Sequence, residues 1–127
     1  MRKQILQLAI VMLSMSSTAA SAAWTFAGKF NQYDDEYVNL DSIRRNGAIA
    51  QMWTMTNGGW SKQSKIDKKE FNCDREMIRS VHSALYDGPM QTGEIIMNWN
   101  TIGEWRAVIP DSWGASLLKL ACSPKRP

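Results

Sequence analysis

His82 is the only histidine in the chain, and a lone imidazole can serve as a general base, as a metal ligand or simply as a packed ring. Ser83 follows it directly, which invites a serine–histidine pair. In an extended segment, adjacent side chains point to opposite faces, so the two cannot meet. The chain has no nucleophile elbow around a serine. Asp34-Asp35-Glu36 sit in a polar stretch, where solvation accounts for them. Gly58-Gly59 lacks the further glycines and following helix of a phosphate-cradling loop. The expected catalytic set is therefore empty, with no cofactor and no metal.

The two cysteines, Cys73 and Cys122, have chemistry of a different kind. Met1-Arg2-Lys3 is a basic start, Ile5 to Met15 is an apolar core of roughly ten residues, and Ala20-Ser21-Ala22 fits a cleavage site. Residues 1–22 thus read as a secretory signal peptide and 23–127 as one mature domain. A retained membrane anchor is the competing reading, but the apolar core is short for a bilayer span. In an oxidising compartment an even pair of cysteines reads as a disulfide, worth about 4 kcal/mol for a loop of roughly fifty residues. Zinc binding is the alternative, and two cysteines with a distant histidine lack its spacing.

Electrostatics narrows the partners. The chain has 15 basic and 12 acidic residues, and losing Arg2 and Lys3 brings the formal charge to about +1. Nucleic-acid binding requires a clustered basic excess, which is missing. No second long apolar run follows the signal segment, so no transmembrane segment is expected after cleavage.

Binding chemistry is better represented. Six tryptophans in so short a chain exceed the needs of one thin core. Trp60 lies in a Gly-rich connection, with Lys62, Lys65, Lys68 and Lys69 on the strand after it. The functional reading is a cationic surface beside an aromatic loop, suited to an acidic protein or glycan. The competing reading is an edge strand whose charges guard against unwanted pairing. Arg44-Arg45 could likewise grip an anion, but they precede Asn46-Gly47, a strong hairpin signal, and read first as a solvated corner.

The elements that must position these residues are short strands. Trp24 to Phe30 forms the first, Asn31 to Glu36 a loop, Tyr37 to Leu40 the second strand, and Ala48 to Thr56 an inner third. Lys65–Asn72 and Glu76–Tyr86 make a long hairpin around Cys73-Asp74-Arg75. Glu94–Trp99 and Glu104–Ile109 follow as two strands joined through Asn100 to Gly103. The natural architecture is α+β: a single antiparallel sheet of about six strands, closed by a C-terminal helix. Asp111 or Ser112 caps that helix, and Gly114, Leu117, Leu118, Ala121 and Cys122 form one face for packing on the sheet. The stripe puts Cys122 on the buried side, within reach of Cys73.

The stretches YVNLDSIRRNG, EFNCDREMIRSVHSALYDGPM and GEWRAVIPDSWGASLLKLAC, with the Trp24 start, resemble the bacterial surface-adhesin protein E family over nearly the whole mature chain. The resemblance implies a small antiparallel sheet with a C-terminal helix on its concave face and a disulfide joining the two. It also implies an exported, non-enzymatic module that binds host extracellular-matrix or serum proteins of the vitronectin, laminin and plasminogen type. No cysteine stands just after the expected cleavage site, a departure that favours a soluble periplasmic or secreted location over the cell surface. The alternative function is a soluble periplasmic accessory or inhibitory domain acting on a bacterial envelope component.

Overall fold

The structure, a computed structural model, describes residues 23–59 and 61–124. The expected signal peptide and Trp60 lie outside the described residues. Strands β1 (Thr25–Lys29), β2 (Asp34–Asn46), β3 (Ile49–Gly58), β4 (Ser64–Asn72), β5 (Met77–Tyr86) and β6 (Ile95–Trp99) form an antiparallel meander in that spatial order. A two-residue strand, β7 (Arg106–Ala107), also pairs with β5, and helix α1 (Trp113–Cys122) ends the fold.

Local chemistry explains most of these boundaries, and corrects several expectations. The turn between β2 and β3 is Gly47-Ala48, because Asn46 is still paired with Ile49. Gly47 has φ +60 and Ala48 does not share the positive sign, the pattern of a type II′ turn. The Asn46-Gly47 signal thus places the turn one residue too early. β2 is much longer than Tyr37–Leu40 and absorbs half of the expected acidic loop. The Asn31 carboxamide oxygen accepts from the Tyr33 and Asp34 backbone N–H groups, which turns the chain early and lets Asp34–Glu36 pair with Thr56–Gly58. A bulge between Asn39 and Arg44 then takes up the extra residues of β2.

The last two strands, joined through Asn100 to Gly103, do not pair with each other, and the second is far shorter than the expected Glu104–Ile109. β6 pairs with Ser83–Tyr86 and β7 with Met77–Ile78, so both lie along the same edge of β5. The Gly103 N–H donates to the Ser80 carbonyl at 2.8 Å between them, carrying the contact along the interruption.

Alternation along the strands separates two faces. The helix face holds the main core, in which Val38, Ala50, Met52 and Phe71 pack under Leu117 and Ala121. Ser112 caps α1 by accepting from the Ala115 N–H at 3.2 Å. The apolar stripe read from the sequence is the face that packs. On the opposite, helix-free face, Met55, Ile66 and Ala84 are buried among Trp24, Tyr37, Trp53 and Tyr86. Each fully buried large side chain contributes about 1.5–3 kcal/mol. The Cys73–Cys122 disulfide joins the β4–β5 turn to the last turn of α1, with Cα atoms 5.7 Å apart. Among the described residues no helix is long and apolar enough to cross a membrane.

Candidate functional site

β4 distributes the lysines singled out in the sequence. Lys65 and Lys69 project to the helix face on either side of Asp67, at 3.7 and 3.8 Å from its two carboxylate oxygens. Lys68 projects to the helix-free face, in register with His82 on β5 and Trp53 on β3. Lys62 is exposed in the β3–β4 connection with φ +54. The four do not form one patch. Nor do they guard an edge: β4 is an interior strand between β3 and β5, which overturns the edge-protection reading.

The half of the helix face beyond α1 is polar. Glu36, Asp67 and Thr54 are buried there; Ser64, also buried, has the parity of Ile66 and lies on the other face. Thr56 donates its hydroxyl to Glu36 Oε1 at 2.6 Å, and Ser83 donates to Asp67 Oδ1. Burial pushes the Glu36 carboxyl up; the Thr56 hydrogen bond and the Lys69 charge oppose this, while Asp67 and Asp34 add to it. Ser83 thus serves Asp67, on the side of the sheet opposite His82. That separation removes the serine–histidine pairing on geometry.

The helix-free face carries the densest set of recognition-type side chains. The Trp53 and His82 rings meet edge to face at 5.7 Å, with Lys68 in the same row. In the adjacent row Gln51 donates to Glu70 Oε2 at 2.9 Å, and Arg79 grips Glu70 Oε1 through Nε at 2.8 Å and Nη2 at 2.7 Å. The Arg79 guanidinium also lies 4.3 Å from the centre of the Trp105 ring, a cation–π contact. Burial alone would raise the Glu70 carboxyl, but the Gln51 and Arg79 hydrogen bonds and the Arg79 and Lys68 charges hold it below its ordinary value. A shallow cavity of about 350 Å³, lined by Arg44, Arg45, Gln51 and Glu70 among others, continues this row to the β2–β3 corner.

The arginine pair divides. Arg44 donates to the Asp41 and Ile43 carbonyls at 2.9 Å each, holding the β2 bulge, and its corner role stands. Arg45 donates to Gly47 O at 2.8 Å and to Cys122 O at 3.1 Å, so it also reaches the end of α1. The reading from sequence missed the Arg79–Trp105 stack and the Gln51–Glu70–Arg79 row. Parity could have found the row, since Gln51 shares a face with Trp53, Glu70 with Lys68 and, across the β5 bulge, Arg79 with His82. Among the described residues no three or more His, Cys, Asp or Glu side chains gather where they could hold a metal ion.

The profile of the family described as surface-adhesin protein E matches residues 24–123. Two solved structures of Haemophilus influenzae protein E share the fold. Crystal form II is 16% identical, with a TM-score of 0.58 over 69% of this chain and 80% of that one. The selenomethionine form is 13% identical, with a TM-score of 0.58 over 78% and 92%. No curated protein sequence matches the chain.

Proposed function

This chain belongs to the surface-adhesin protein E family, and we propose that it is an exported, non-enzymatic module that binds host extracellular-matrix or serum proteins of the vitronectin, laminin and plasminogen type. The observation that carries the reading is the helix-free face of the sheet. With α1 packed on one side of the sheet, Trp53, His82, Lys68, Arg79 and Trp105 lie together on the other. Trp, Tyr and Arg are the residue types enriched at protein-binding hot spots. Trp60, Lys62, Lys65, Lys68 and Lys69 remain the proposed contact residues from the sequence; of the described ones, Lys68 and Lys62 are free of the Asp67 pairing.

The experiment is direct binding of the mature protein to immobilised vitronectin, laminin and plasminogen, beside a periplasmic extract. Saturable binding to a host protein supports the reading. Binding confined to an envelope component supports the second reading instead, a soluble periplasmic accessory or inhibitory domain. Protease accessibility on intact cells separates display at the surface from residence in the periplasm.

A further inference from the structure

Strand β6 closes one side of the sheet, and among the described residues its outward N–H and C=O groups face no further strand. Edge strands of soluble proteins are ordinarily blunted by charge, by proline or by a covering element. β6 reads Ile95-Ile96-Met97-Asn98-Trp99, with no charge and no proline. All five residues are exposed: Ile95 by 51%, Ile96 by 48%, Met97 by 46% and Trp99 by 37%, with Asn98 beside them. Ile102, in the connection to β7, is exposed by 67%. Clustered apolar exposure of this kind marks an interaction site.

We propose that β6 is a docking edge that takes up an extended, uncharged segment of another protein as an added strand. Backbone hydrogen bonds would supply the affinity, and alternate side chains of the segment would supply selectivity. Two surfaces would read those side chains. Met97 and Trp99 lie on the helix face, in register with Leu85 and Ser83, while Ile95 and Asn98 lie on the other, opposite Tyr86 and Ala84. The segment therefore carries apolar side chains at alternate positions along four or five residues. Size argues against a second copy as the occupant. β6 offers five residues, whereas a standard stable interface uses roughly 20–30 a side. A linear segment needs no more than the strand gives.

The test selects a displayed library of random seven-residue peptides on the mature protein, then measures the recovered peptides against Met97→Lys. The expected result is enrichment of proline-free peptides with alternating apolar residues, binding at least tenfold weaker to Met97→Lys, and new hydrogen-exchange protection of the amides of residues 95–99. Ile96→Lys replaces Met97→Lys should the latter fail to give a native thermal melt. Lys62→Glu/Lys68→Glu, which touches only the cationic site proposed above, should keep peptide binding, so the two proposals fail separately. No enrichment over the lysine variant, or binding without protection of those amides, overturns the proposal. Concentration-dependent dimerisation abolished by Met97→Lys also overturns it, by giving the edge to a second copy.

Discussion

Arg45 and Cys122 are 77 residues apart in sequence, yet the Arg45 guanidinium donates to the Cys122 carbonyl at 3.1 Å. Cys122 is the last residue of α1, so a cation meets the negative end of the helix and one of its unpaired carbonyls. The same guanidinium is fixed by Gly47 O, which couples the β2–β3 turn to the helix. Replacing Arg45 with alanine should lower stability by about 0.3–1 kcal/mol. Urea denaturation checks this; Arg44→Ala, whose partners are both on its own strand, should cost less.

The disulfide at the same end of the helix should leave no free thiol. Thiol titration of denatured, unreduced mature protein is expected to find none, and reduction should lower the melting temperature markedly. The loop closed is 49 residues, for which chain entropy gives about 4 kcal/mol. Two reactive thiols would show that the bridge does not form.

Leu117 is buried against the sheet, whereas Leu118 is only partly covered. Leu117→Ala should therefore cost roughly 2–5 kcal/mol and Leu118→Ala less. A loss under about 0.5 kcal/mol at both positions would mean that α1 is peripheral to the core.

Two carboxylates set the pH dependence of stability in opposite senses. Glu36 has its folded-state pKa raised by burial, so its contribution is fully present below the unfolded value and is lost as pH rises through the folded one. Glu70, despite its burial, is held low by Gln51 and Arg79; its contribution is present above the unfolded value and lost as pH falls through the folded one. Glu36→Gln should thus flatten a decline in stability on the neutral side of the ordinary carboxylate range. Glu70→Gln should remove a loss on the acid side. Denaturation midpoints across a pH series of the three proteins check both signs.

The sequence made the hairpins and the helix legible for physical reasons. Asn46-Gly47 marked a turn, and the spacing of Leu117, Leu118 and Ala121 marked a packing stripe. β2 was less readable, because Asp34–Glu36 resemble a solvated loop until the Asn31 turn and their partners on β3 are known. β7 is not legible as a two-residue strand, because Arg106 and Ala107 look like part of a full strand, while their partners are on β5. The lysines of β4 were legible as residues but not as a surface. Parity split them, Asp67 engaged two, and only the strand order shows that β4 is interior. The Arg79–Trp105 contact spans two segments that no local pattern connects.

Binding of mature protein to immobilised vitronectin across a salt series, with wild type, Trp60→Ala, Lys62→Glu/Lys68→Glu and the reversal of Lys62, Lys65, Lys68 and Lys69 together, tests the central claim most directly. A hot-spot tryptophan should cost about 1–2 kcal/mol or more, roughly tenfold in affinity. The lysine reversals should slow association and flatten the salt dependence, as expected for charges that steer encounter. The double variant keeps the measurement clean, because it leaves the Lys65–Asp67–Lys69 cluster intact. Saturable wild-type binding that is weakened in Trp60→Ala and loses its salt slope in the double variant is the predicted result. Folded variants that all bind like wild type, or a wild type that does not bind at all, would contradict it.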